Sequence, residues 1–301
     1  DWIAAVGAPA TGLLIGRLIC GMLGAVIGGA AGVRADAAEP FADLATRGVE
    51  VVAGTWVPLP DPVVRLDVAQ SAADLEGLAG PAGWERFSAD AVTAPVAVAI
   101  EAAPVDGVRL GHRVRSAFTL RAPLERLRAD EALRRSLGSG EDGKGSTARP
   151  LEPEELREAG VTAAAGEQLV WIELVLLNRV MIRGVVRAVS TERPDGVEVA
   201  WQFDPRFRDH ERRATWSRIE ENELGSRAEG PRQAYQGSGG IVTVRRLSSE
   251  AGVDLLVVES RAVIGEPEAW FQGSNLLRSK MPLAAQEGVR TLRRRLAATR
   301  E

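Results

Sequence analysis

Val253-Asp-Leu-Leu-Val-Val-Glu-Ser-Arg-Ala-Val-Ile264, followed by Gly265-Glu266-Pro267, is the passage on which the fold turns. Leu256, Val258, Ser260 and Ala262 alternate with Val257, Glu259, Arg261 and Val263, the period of two that marks a strand. Charged side chains belong outside, so Leu256, Val258 and Ser260 are expected on the inner face. Pro267 suits the first turn of a helix. Beyond it Trp270, Leu277, Met281, Ala285, Val289, Leu292 and Leu296 recur three, four or seven apart. They form one apolar stripe, with Pro282 as a point of bending. A last strand therefore runs into a long amphipathic helix.

The segments upstream supply the rest of a sheet. Val197 to Phe203, Arg213 to Ile219 and Ile241 to Leu247 read as strands, joined by turns such as Arg193-Pro-Asp-Gly196 and Glu250-Ala-Gly252 that suit antiparallel hairpins. Trp201 and Phe203, in phase with Val197 and Val199, are expected to face inward. Leu169 to Val189 is a long apolar run whose β-branched content favours strand, although Arg179, Arg183 and Arg187 stand four apart as in a helix. The cleanest alternation is Val108 to Arg121. It puts Val108, Leu110, His112, Val114, Ser116, Phe118 and Leu120 on an inner face and an arginine-lined row on a wet one.

Pro95 to Ala103 reads as a further strand, and so does Val49 to Val57, ended by Pro58, Pro60 and Pro62. Asp61 to Leu78 places Val64, Val68, Ala72 and Leu75 at helical spacing. Leu124 to Leu137 is a charged helix, Gly138 to Thr147 a polar, flexible loop, and Pro153 to Ala159 a short helix. Leu124 to Gln168 together reads as a surface insertion in one domain.

Composition narrows the function. The 301 residues are 45% hydrophobic and 26% charged, which is ordinary for a globular chain. A net charge of −4 argues against a nucleic-acid partner held by a global positive field. Only Lys144 and Lys280 among 37 basic residues are lysine, so the arginine excess reflects genome composition rather than phosphate recognition. One cysteine excludes an internal disulfide, and two histidines leave almost no material for a Cys/His metal site. Gly138-x4-Gly143-Lys144 imitates a phosphate-binding loop, but Gly145 stands where Ser or Thr is needed. No motif calls for a cofactor.

Ile3 to Val33 is apolar and glycine-rich, with Arg17 before its core and Ala35-Asp36-Ala37 after it. Residues 1–37 read as a secretory signal peptide cleaved after Ala37, or as a retained membrane anchor. Either implies an exported protein of the periplasm or cell envelope.

The element order resembles the helix-grip fold of the START-like, or SRPBCC, superfamily. The resemblance spans Gly48 to Leu296. It rests on Val57-Pro58-Leu59-Pro60-Asp61-Pro62, on the Asp195-Gly196-Val197-Glu198-Val199-Ala200-Trp201 hairpin, and on the last strand with its helix. It implies an α+β domain over residues 40–301, a curved antiparallel sheet wrapped on the C-terminal helix, and a cavity for a lipid or other hydrophobic small molecule. His112, Trp201, Phe203, Leu256, Val258, Ser260, Trp270 and Leu277 are the candidate lining residues, and no catalytic or metal-binding set is assigned. Arg290, Arg293, Arg294 and Arg295 offer a second partner, an anionic membrane surface, although solvent exposure and the helix dipole also explain them. The alternatives are a cyclase- or hydrolase-like enzyme using the same cavity, with His112 as its acid–base candidate, and a structural envelope protein with a filled core.

Overall fold

The computed structural model describes residues 41–129, 147–177, 179–221, 227–235, 237–250, 252–268, 270 and 276–298. The expected leader, the Leu124 helix beyond Ala129 and loop residues 138–146 lie outside the described residues. No described helix is long and apolar enough to cross a membrane.

The chain opens with α1 (Ala42–Thr46) and a hairpin of β1 (Val49–Val52) and β2 (Thr55–Val57). The expected single strand over Val49 to Val57 is thus two, because Gly54 at φ +76° turns the chain back on itself. A further difference follows. Asp61 to Ser71 is not helical, and the helices are confined to α2 (Ala72–Leu75), a 3₁₀ turn (Glu76–Ala82) and α3 (Trp84–Phe87). The Val63 and Val64 amides are held by the Glu259 carboxylate, at 3.0 and 2.8 Å, so this stretch is laid flat against the sheet.

Two long strands follow, β3 (Ala97–Val105) and β4 (Val108–Arg121), then α4 (Leu124–Ala129). Next come β5 (Thr147–Pro150), α5 (Pro153–Glu158), β6 (Glu167–Leu176), β7 (Val180–Arg193) and β8 (Gly196–Phe203). The Leu169 to Val189 run is therefore a hairpin, reversed at Leu177 with φ +52°. Then follow β9 (Thr215–Glu221), β10 (Arg227–Glu229), β11 (Gln233–Ala234), β12 (Ser238–Glu250), β13 (Val253–Gly265) and α6 (Leu276–Ala298). Pro267 lies in a bend before α6 rather than in a helical first turn, and Pro282 is inside the helix.

All strands from β3 onward belong to one antiparallel sheet. Its spine runs β3–β4–β13–β12–β8–β7–β6–β5. β9 pairs with the Val180 end of β7, beside β8, and carries β10 and β11. The sheet is open, since β3 and β5 are edges that do not pair with each other. The segment expected as a surface insertion thus supplies an edge strand, and its Leu151 and Val161 pack with Leu169, Val185 and Phe207.

Both faces of the central strands are buried. One face, gripped by α6, carries Leu256, Val258, Ala262 and Ile264 of β13 with Val114, Phe118 and Leu120 of β4. The other is covered by α1, the β1–β2 hairpin and the Pro58–Ala94 segment, through Val257, Val263, Ala117, Ile241, Leu75 and Phe87. The face expected to be wet is therefore half covered: Ala117 and Thr119 are buried, and only the outer arginines keep solvent. Leu110 also departs from the inner row and packs on the outer layer, past the bulge between Ala102 and Pro104. Gly237 permits the close contact, because a Cβ there would meet Val51 Cα at 2.5 Å.

Glu259 and Arg261 point away from α6 as expected, yet they are buried rather than exposed. Glu259 accepts from the Val63 and Val64 amides, with Arg115 Nε at 3.5 Å, and Arg261 donates to Pro60 O at 3.3 Å. Beside them Arg245 binds the Arg65 and Val68 carbonyls and Asp195. Burial pushes the Glu259 carboxyl above the usual carboxylate range, against the two amides and the Arg261 and Arg115 charges. Glu259→Ala leaves those amides without an acceptor and should cost about 3 kcal/mol in urea unfolding. Glu259→Gln, which keeps an acceptor oxygen, should be tolerated. Because the folded carboxyl's pKa is raised, its contribution is complete below the unfolded value and declines as pH rises through the folded one. The stability difference, wild type minus Gln variant, should therefore fall as pH rises above the ordinary carboxylate range; a rise would contradict this assignment.

Candidate ligand-binding site

α6 has 23 residues, about 34 Å at helical rise, enough to cross most of the sheet. Leu277, Met281, Ala284, Val289, Leu292 and Leu296 sit in the same core as Phe118, Trp201, Leu256 and Val258. Arg293, expected in solvent, is instead buried. It donates to the Thr119 carbonyl at 2.9 Å and the Ala94 carbonyl at 2.6 Å, tying the helix to β4. Arg290 and Arg294 pair with Glu287 of the same helix.

The order β1–β2, short helices, long antiparallel strands and terminal helix, with that helix laid on the sheet's inner face, decides the architecture. The fold is α+β, an open antiparallel sheet with its terminal helix laid on one face in the manner of a helix grip. Solved structures similar to this chain include the lipid transfer and protein localization domain of human StarD13 (DLC2). It is 15% identical, with a TM-score of 0.35, over 66% of this chain and 84% of that one. The Mll3558 protein of Rhizobium loti is 15% identical over 62% and 97%, with a TM-score of 0.30. An uncharacterized protein of Rhizobium leguminosarum is 11% identical over 61% and 98%, with a TM-score of 0.29. No family model and no curated protein matches the chain.

Within the grip, Trp201, Phe203, Leu256, Val258, Trp270 and Leu277 fall in one hydrophobic core. Ser260 and His112 share its face by register, Ser260 opposite Ser116 and His112 opposite Ile264. Only Trp201 and Phe203 of this set line the apolar space described at this wall, with Ile172, Leu174, Ile182 and Ile264. That space measures about 10 Å³, the size of a single water.

Polar groups interrupt the apolar wall at a few points. The Ser116 hydroxyl is buried with no hydrogen-bond partner among the described residues. His112 Nε2 lies 3.0 Å from Glu266 Oε2, while its Nδ1 has no partner among the described residues. Arg109 reaches the same Glu266 oxygen at 3.3 Å, and the Glu266 amide donates to Leu110 O. Tyr235 closes this end of the sheet. Its hydroxyl donates within reach of the Gly237 and Gly265 carbonyls at 3.0 and 3.1 Å and shares a proton with Ser238 Oγ at 2.6 Å. Burial pushes its phenol well above the usual range. The ring stands edge-on to Phe203 at 5.4 Å and beside Trp270 at 5.7 Å. Ser238 bonds to Tyr235 and not to His112, so the described residues make no Ser–His pair.

Glu266, Tyr235, Ser238 and Arg109 were not among the expected site residues. Tyr235 had one signal, as the single tyrosine of the chain. Glu266 had none, because its partner stands 154 residues away. His112→Phe leaves the buried Glu266 carboxylate with one fewer partner and should cost about 1–3 kcal/mol in urea unfolding. His112→Gln, which can still donate, should lose less; equal losses would mean that the histidine acts by packing alone.

Proposed function

We propose that the chain binds a hydrophobic small molecule, a lipid above all, between the inner face of the sheet and α6. The observation that carries this reading is the makeup of that wall. It is continuous and apolar, it is closed by one helix rather than a second sheet, and it holds the unpartnered Ser116 hydroxyl and His112 Nδ1. Ligand pockets pair apolar walls with a few placed polar groups, and buried polar atoms ordinarily find partners. Ligand polar atoms would satisfy these two. The small faces of Ala284 and Ala285 on α6 favour a helix that slides or lifts from the sheet, which would widen the apolar space of about 10 Å³ described at this wall. Apolar burial would stabilise the complex by roughly 25 cal/mol per Å² before ordering costs.

Among the described residues, the close packing at Trp201 and Phe203 favours a second reading, a structural protein whose core is filled. A titration separates the two. Long-chain fatty acids or sterols should shift tryptophan emission through Trp201 and raise thermal stability, by about 2.7 kcal/mol at 100 times the dissociation constant. Val258→Trp or Ser260→Trp should abolish the response with the fold retained. No response to any amphiphile, with 1–3 kcal/mol lost from either overpacked variant, would support the filled core.

We also propose export to the periplasm or envelope, supported by the Ile3–Val33 leader alone. In a Gram-negative host the protein should fractionate with the envelope and its mature chain should begin near Ala38; a cytosolic product retaining residues 3–33 would contradict this. Contact with an anionic membrane would draw on Arg290, Arg294 and Arg295, because Arg293 is engaged in the core.

A further inference from the structure

A second space lies at the end of the sheet where β8 leaves and β12 begins. It measures about 120 Å³, opens to solvent beside the β1–β2 hairpin, and is lined by Trp56, Glu50, Arg208 and Arg213 among others. Phe203 and Ser238 line this pocket and also the apolar space inside the grip. One aromatic ring therefore separates a polar vestibule from the core.

The charges of the vestibule are unequally engaged. Asp204 is occupied by Arg206, which reaches both carboxylate oxygens at 2.7 to 3.0 Å and adds its own amide at 3.0 Å. Glu50 accepts from the Gly54 amide at 2.6 Å and pairs with Arg208 at 3.4 Å. Arg213 makes no side-chain hydrogen bond or ion pair with any described residue. With both carboxylates satisfied from within, the charge left to a ligand is positive. Of the two rings at the inner wall, Tyr235 is pinned by the Gly237 and Gly265 carbonyls. Phe203 is held by packing alone, against Gly184, where even a Cβ would come within 3.0 Å of its ring. Phe203 is thus the ring at this wall without a polar tie.

We propose that this vestibule is the portal and head-group subsite for an anionic amphiphile, a carboxylate or a phosphate monoester on a long alkyl chain. The guanidinium of Arg213, beside the Glu50-paired Arg208, holds the head by the charge-assisted geometry that suits both oxyanions. The tail passes Phe203 into the grip. This inference rests on the hydrophobic-ligand reading above and adds to it the ligand's charge and its point of entry.

Three probes with one tail test it: oleate, oleyl phosphate and oleyl alcohol, each below its aggregation concentration, titrated into the full chain and followed by tryptophan emission and calorimetry. Both anions should bind at least about tenfold tighter than the alcohol, and the better of the two identifies the head. Arg213 is exposed, so Arg213→Gln should fold normally and should bring the anions to within about threefold of the alcohol. Arg157→Gln, a distant surface change, should preserve the preference. Alcohol and anions binding alike to the wild type, or a preference that survives Arg213→Gln, would overturn the head-group assignment and leave the hydrophobic-ligand reading standing. Binding of none of the three would overturn both.

Discussion

The whole arrangement depends on β13 having two buried faces. A strand in a one-layer sheet can leave its charged alternate positions in water, but β13 lies under α6 on one side and under the 41–94 segment on the other. Its Glu259 and Arg261 must then be satisfied inside the protein, since an unpaired buried charge costs several kcal/mol. They are satisfied by the backbone of Pro60, Val63 and Val64. The same bonds fix the outer layer. An irregular, proline-marked stretch with little secondary structure is held in place because the sheet's central strand needs its amides and carbonyls.

This division gives the two faces different characters. The outer layer is bound by ionic and backbone bonds at Glu259, Arg261 and Arg245. Its geometry is set by direction and charge, and it resists displacement. α6 is bound mainly by apolar side chains, with Arg293 and the Arg126 bond to Leu296 O among its polar ties, and apolar contact carries no direction. On the proposed reading, the helix side is where an apolar guest exchanges for protein at least cost. The polar groups gathered at the far end of β13, where Glu266, His112, Tyr235 and Ser238 meet, mark the boundary between that dry interior and solvent.

Much of this was legible in the sequence. The alternation of Val108 to Arg121 gave the observed bounds of β4, and the terminal apolar stripe gave α6 with its inward positions, because both signals are local and periodic. Six of the eight proposed lining residues share one core for the same reason. The failures have a common physical origin. Val64 and Val68 extend the helical spacing of Ala72 and Leu75, but the partner that draws the Val63 and Val64 amides out of a helix, Glu259, stands 195 residues beyond Val64. The wet face of β4 and the exposure of Arg293 were misjudged because periodicity shows which residues share a face and not whether a second layer covers it. The His112–Glu266 pair and the Phe203 partition between two spaces are likewise products of topology, which brings β4, β8, β12 and β13 side by side.

The most direct measurement is mass spectrometry of freshly purified protein, native first and then after extraction with organic solvent. An interior that takes hydrophobic guests should carry one from the expression host, seen as an adduct near one per chain and recovered in the extract as an amphiphile. A chain that shows its own mass alone from several hosts, yields no amphiphile on extraction and takes up none on incubation would contradict the binding interior and leave a solid core.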